Sequence, residues 1–298
     1  MLATIRKHRA YRRARKRLLR YTPRGRFFRR ASRFSPYLAV EARGVVYIVS
    51  TADRNIGRGL FVKRGRKEHA ELQVALESLS KAGVEDRRGV FVDVGAHIGT
   101  TVLPALIEHG FERALAFEPE LVNYRLLSAN IAVNDLERRA RAYQLALSDG
   151  TGEATLDVSS LNAGAYWLNR EDSSGGAHTE RVRFARLDDV LAGESIAPRD
   201  VGLLWMDVEG HEGHVLAGAR TLLEAGTPTV LEFSPRLLTR AGGADLLLNL
   251  VRTSFTHFHD LRTPAKNATP IAQLDTTAER YATSFTDLLL FRQTRTPK

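Results

Sequence analysis

From residue 90 onward the apolar positions of this chain fall into an alternating rhythm. Short apolar runs at 90–94, 114–117, 201–206 and 229–231 suit strands buried on both faces. Between and after them, residues 102–109, 121–133, 212–224 and 236–252 carry apolar side chains at helical spacing. Gly110 and Gly226 end two of these stretches, and Gly242 and Gly243 interrupt the last. Upstream, 45–49 reads as a strand, 53–59 as a turn and 60–62 as a second short strand. Leu72, Ala75, Leu76 and Leu79 predict a helix over 68–81 that stops at Gly83. Residues 142–147 read as one further strand, and 255–261 and 285–291 as a closing antiparallel pair. The repeated strand-then-helix order predicts an α/β fold: a doubly wound, mostly parallel sheet with a final antiparallel strand pair.

The stretch 152–186 breaks the rhythm. Short strands at 154–158 and 181–184 flank a glycine-rich loop, Ser173-Ser174-Gly175-Gly176, which marks an insertion or lid. The expected organisation is an arm at 1–34, an extension at 35–89 and a main domain at 90–298 with its insertion near 152–186.

Charge changes the picture at one end only. The chain carries a net charge of +10 over 298 residues, but residues 1–34 hold 14 Lys and Arg and no Asp or Glu. The remainder has 44 − 14 = 30 basic and 34 acidic residues, a net of −4. The arm therefore reads as a flexible or partly helical basic segment. Its Leu18, Leu19, Tyr21, Phe27 and Phe28 suit contact with an anionic membrane surface or another polyanion. A solvated tail without a partner is the alternative. Cysteine is absent, which rules out disulfides and thiolate chemistry. No apolar stretch approaches the roughly 18 residues that span a bilayer. A cytoplasmic chain is expected, with the arm adding peripheral placement on the inner membrane face.

The chemistry gathers where apolar runs end. Asp93, Glu118, Asp207 and Glu232 each follow such a run, with Asp149 close behind a fifth. Ligands in doubly wound sheets bind outside these strand ends. After Asp93 comes Gly95-Ala96-His97-Ile98-Gly99, a glycine turn opening a helix. Glu118 lies 23 residues beyond Gly95, where a carboxylate is placed to grip ribose hydroxyls. Its other reading is a helix N-cap. The G-x-x-x-G spacing is not the dinucleotide fingerprint, and an acid before the turn opposes a diphosphate. It suits a cation such as the sulfonium and ammonium of S-adenosylmethionine.

A second cluster is Trp205-Met206-Asp207-Val208-Glu209-Gly210-His211-Glu212. His211 is a candidate general base, with Asp207 and Glu209 beside it. Asp207, Glu209 and Glu232 form the candidate set for a divalent metal, which nothing in the sequence requires. Helix capping by Glu209 to Glu212 is the plain alternative. His97 lines the turn or serves as a spacer. His214 reads as a solvated helix residue, and His257 and His259 as surface residues.

With these residues in view, the chain resembles the FkbM family of S-adenosylmethionine-dependent methyltransferases. The matching pieces are 91–99, 116–119, 145–149, Arg186-Leu187-Asp188-Asp189 and 206–212. The resemblance implies the class I methyltransferase (Rossmann-like) fold and methylation of a hydroxyl on a sugar, glycolipid or secondary metabolite. It implies that Asp93, Gly95, Ala96, His97 and Gly99 frame the methionine part and that Glu118 holds the ribose. Ser148 would lie near the adenine, and Asp207 to His211 would face the methyl group. His97 departs from the Asn common there. Two other functions stay open: an RNA methyltransferase guided by the arm, and a non-catalytic, membrane-tethered binding protein. The first lacks an Asn-Pro-Pro-Tyr-like tetrapeptide, and Asp207 and Glu209 would repel phosphates.

Overall fold

The computed structural model describes residues 21–65, 67–158, 166–169, 179–263 and 267–293. The chain forms two compact units, residues 1–66 and 67–298. In the first, helix Pro23–Ala31 precedes a hairpin of β1 (Tyr37–Ala42) and β2 (Val45–Ser50). Arg43 and Gly44 both have positive φ, the two-residue turn that matches strand twist. The strand expected at 60–62 is instead helical, within Ile56–Lys63. Asp53 decides this. Its carboxylate accepts the N–H groups of Asn55, Ile56 and Gly57 at 2.7, 3.1 and 2.6 Å and starts the helix. Three apolar residues in a row carry no period strong enough to oppose that cap.

The second unit opens with helix Lys67–Lys81. Its strands are β3 (Val90–Val94), β4 (Arg113–Phe117), β5 (Ala140–Tyr143), β6 (Ala146–Leu147), β7 (Gly152–Val158), β8 (Tyr166–Asn169), β9 (Thr179–Ala185), β10 (Val201–Met206), β11 (Thr229–Phe233), β12 (His257–Asp260), β13 (Thr269–Pro270) and β14 (Thr286–Phe291). Eight of them form one sheet in the order β13-β12-β14-β11-β10-β3-β4-β5. From β11 to β5 all neighbours are parallel, while β14 runs antiparallel to both β11 and β12. This is the doubly wound sheet of the class I methyltransferase fold, with its late antiparallel pairing. Strands β3, β10 and β11 are buried along their whole length, including the polar Asp93, Thr229 and Glu232.

The strand order turns at β3. The chain continues from β3 to β4 and β5 on one side, then resumes with β10 and β11 on the other. The crevice for a ligand lies outside the carboxyl ends at this reversal. Asp93 in β3 and Asp207 just after β10 therefore flank it.

The strand read over 142–147 is divided. Glu118 N–H still donates to Tyr143 O at 3.0 Å, where β4 runs out. The chain then leaves the large sheet, and β6 pairs parallel with β9 in a separate sheet ordered β6-β9-β7-β8. Strands β7 and β9 are the antiparallel core of the insertion. The loop Ser173–Gly176 lies outside the described residues. The helix expected at 212–224 is also broken, into Glu212–Ala217 and Arg220–Ala225. Asp188 starts the second piece, accepting the Arg220 and Thr221 N–H groups at 3.0 and 3.2 Å. A side chain at Gly218 would meet Ser148 O at 2.0 Å, so the break is also a close backbone crossing.

Gly95 has φ +83, and a Cβ built there would lie 2.1 Å from Asp207 O. We expect Gly95→Ala to destabilise the protein by about 2–4 kcal/mol, since both the conformation and the space oppose it. Denaturant unfolding measures this, and stability near that of the wild type would show that the two strand ends can separate freely.

Candidate functional site

The glycine turn is held by its own amides. Gly95 and Ala96 N–H both donate to Phe117 O, at 2.9 and 3.0 Å. His97 N–H donates to Glu118 Oε2 at 2.9 Å, and Gly99 N–H to Ala96 O at 2.8 Å. These four amides are therefore bonded within the protein rather than aimed at a ligand. A diphosphate needs such donors.

Glu118 is buried and spans the turn. Its Oε1 accepts Glu120 N–H at 3.0 Å while Oε2 holds His97 N–H. The capping role weighed for Glu118 falls to Glu120, which accepts the N–H groups of Val122 and Asn123 at 3.0 and 2.7 Å. Each Glu118 oxygen keeps a second lone pair for a ligand hydroxyl. His97 has φ +50, a left-handed conformation that Asn adopts more readily than His. Its backbone, through the bond to Glu118, is what the turn uses.

Asp93 is buried, and its Oδ2 has no hydrogen-bond partner among the described residues. Burial raises its pKa to about 8, the Val102 N–H partly offsets this, and Asp207 adds to it. Glu118 is likewise raised to about 8, first by burial. Both acids are thus shifted toward their neutral forms, first by burial and also by neighbouring acids.

Across the crevice, Asp207, Glu209 and Glu232 offer oxygens that all lie within 4.8 Å of one another. Asp207 is exposed, Glu209 half-buried and Glu232 buried. These are the three residues singled out for a metal, and three carboxylates this close also share protons. Burial raises Glu209 to about 8, with Asp207 and Glu212 contributing. Glu232 is raised further, by burial and then by Asp207, Glu209 and Glu212. Glu209 itself has φ +53. Fully buried Glu212, which the sequence treats as a cap, tethers this loop through Oε1. It accepts the Val208 and Gly210 N–H groups at 3.3 Å each, and burial raises its pKa to about 7.

His211 meets a partner that sequence reasoning placed elsewhere. Ser148 Oγ is 2.8 Å from His211 Nε2, although 63 residues separate them. Ser148 is fully buried, so its hydroxyl fixes the ring. His214, expected to be solvated, is half-buried. Its ring stacks on His211 with centroids 4.5 Å apart, and its Nδ1 is 3.0 Å from Asp149 Oδ2. The spacing of three between the histidines was the one available sign that they share a face. His259, expected at the surface, is buried, with its ring stacked on Phe291 at 5.8 Å between centroids.

A cavity of about 910 Å³ lies between the β5 edge and the insertion, lined by Tyr124, Arg141, Tyr143, Arg183 and Phe184 among others. Asp93, Glu118, Asp207 and His211 do not line it. Leu145 does, three residues before Ser148.

The raised acids set the pH dependence of stability. Asp93, Glu118, Glu209, Glu212 and Glu232 bind protons more tightly folded than unfolded. Stability from this source is complete below about pH 4 and is lost as pH rises through 7 to 8 and beyond. The melting temperature of the ligand-free protein should therefore fall between pH 6 and 9, and Glu232→Gln should flatten the fall. A midpoint that rises over this range would contradict the burial of these groups.

The sequence profile of the methyltransferase FkbM domain matches residues 93–266. The chain is 35% identical over 165 residues to the 31-O-demethyl-FK506 methyltransferase FkbM of Streptomyces tacrolimicus, covering 46% of this chain and 62% of that protein. It is 32% identical over 152 residues to the methyltransferase sdnD of Sordaria araneosa, covering 43% and 59%. The chain thus matches about three fifths of the length of these relatives. A crystal structure of methyltransferase FkbM from Methylobacillus flagellatus KT aligns at 17% identity and a TM-score of 0.44, covering 81% of this chain and 53% of that one. The profile takes in the glycine turn, Glu118, Ser148, the Asp207–Glu212 segment and Glu232, and this chain belongs to the FkbM methyltransferase family.

Proposed function

We propose that this methyltransferase uses S-adenosylmethionine to methylate a hydroxyl of a sugar, glycolipid or secondary metabolite. The observation that carries the cofactor is the buried Asp93 Oδ2 without a partner, beside a turn whose amides are already bound. That niche fits a positively charged donor and offers little to a phosphate. The Streptomyces tacrolimicus relative is a 31-O-demethyl-FK506 methyltransferase, which supports oxygen as the acceptor atom.

S-adenosylmethionine supplies an electrophilic methyl group on a sulfonium. Asp93 would hold the positive end, with Gly95, Ala96, His97 and Gly99 shaping the floor. Glu118 would accept ribose hydroxyls on its remaining lone pairs, and Asp207 would line the opposite wall. Ser148, assigned by resemblance to the adenine side, acts in this reading by orienting His211. His211 takes the acceptor proton, and Asp207, Glu209 and Glu232 stand together on the same rim. The cavity beside the insertion, lined by Leu145 three residues before Ser148, is the candidate place for the acceptor's remote part. Positioning of donor and acceptor then provides most of the rate.

Ligand binding should release protons. Asp93 and Glu118 are largely neutral at pH 7, and a nearby cation favours their charged forms. Affinity for S-adenosylmethionine should rise from pH 6 to 8, by up to about tenfold per pH unit for each proton released. Titration calorimetry in buffers of different ionisation heat reads this directly. No proton release, or tighter binding of NAD, would remove the cofactor assignment.

His211→Ala should keep cofactor affinity within about twofold and lower turnover by about 10²–10⁴-fold in a methyl-release assay. Unchanged turnover would take His211 out of the mechanism and move proton removal to the carboxylate trio.

A further inference from the structure

The first unit presents a basic, aromatic surface of its own. Helix Pro23–Ala31 has no acidic residue and turns Gly25 and Phe28 inward, where Phe28 packs on Phe61 with ring centroids 5.5 Å apart. Around that anchored face the aromatic side chains point outward. Tyr21 is 62% exposed, Phe27 56%, Phe34 81% and Tyr37 47%. Arg24, Arg26, Arg29, Arg30 and Arg33 are exposed among them. Arg24 and Arg30, three residues either side of Phe27, share its face of the helix.

Charge in this unit has one sign. Residues 21–65 carry ten Lys and Arg against two acids, Glu41 and Asp53. Asp53 is buried and holds the start of helix Ile56–Lys63. Residues 1–20, outside the described residues, add nine more basic side chains and no acid.

We propose that this face docks on an anionic lipid bilayer, with Tyr21, Phe27, Phe34 and Tyr37 entering the headgroup layer and the arginines binding lipid phosphates. Arginine reads phosphate oxygens as a planar fork, and aromatic rings settle at the interface between headgroups and acyl chains. A basic helix of this kind lies in the membrane plane. RNA fits the same charge less well. Base stacking needs open ring faces, and one face of Phe27 is already stacked on Phe61 at 5.8 Å and 9° between planes. Helix Pro23–Ala31 is far too short to cross the bilayer, and among the described residues no helix is long and apolar enough to do so.

The test is co-sedimentation of the full chain with vesicles. Phosphatidylcholine vesicles containing phosphatidylglycerol should pellet it, and phosphatidylcholine alone should not. Phe34→Ser with Tyr37→Ser leaves net charge unchanged and should lower the partition constant about tenfold. Phe34→Ser alone, at the most exposed position, should lower it about threefold and guards against misfolding of the pair. Circular dichroism verifies that each variant is folded. Three results would overturn the proposal: no binding to anionic vesicles, equal binding by the aromatic variants, or single-stranded RNA that displaces the protein from vesicles while the aromatic variants bind that RNA as tightly as wild type.

Discussion

One close approach organises this protein: the carbonyl of Asp207 passes over Gly95, in the space where any other residue would carry a Cβ. It joins the ends of β3 and β10 at the point where strand order reverses, and Asp207 N–H donates back to Val94 O at 3.0 Å. Everything charged in the crevice is placed by that junction. Asp93 stands on one side, with Asp207 and Glu209 on the other. The glycine is therefore a requirement of sheet closure before it is a feature of ligand binding. The turn's amides follow the same logic, being consumed by Phe117 and Glu118 to hold this geometry.

Rigidity here is bought with electrostatic cost. Six carboxyl groups, Asp93, Glu118, Asp207, Glu209, Glu212 and Glu232, stand around these strand ends, and burial raises the pKa of five of them. Unpaired acids in a protein interior are unfavourable as anions. Their protonation therefore contributes to stability in a pH-dependent way. The histidine pair belongs to the opposite regime. His211 and His214 are tied to Ser148 and Asp149, and both partners come from the segment that leads out of the large sheet into the insertion. That segment connects the crevice to the cavity walled by β7 and β9.

Much of the fold was legible from residue patterns. Buried parallel strands are short and mostly apolar, so β3, β4, β10 and β11 could be read directly. The acids after those runs were equally visible, and strand-end position alone brought Asp93, Glu118, Asp207 and Glu232 to one rim. Errors fell where a side chain acted on backbone at short range. Asp53 turned an apolar triplet into helix, and Asp188 with Gly218 divided a longer helix in two.

What the sequence determined by itself was the order of elements, the basic arm and the inventory of acids, because periodicity and charge are local properties. Tertiary structure decided which groups face which. The contact between Ser148 and His211 spans 63 residues, the pairing of His214 with Asp149 spans 65, and the bond from His97 to Glu118 crosses between adjacent strands. Protonation follows from burial and neighbours that only the packed sheet creates. A carboxyl group with an ordinary pKa in the unfolded chain becomes a neutral acid when the surrounding layers exclude water.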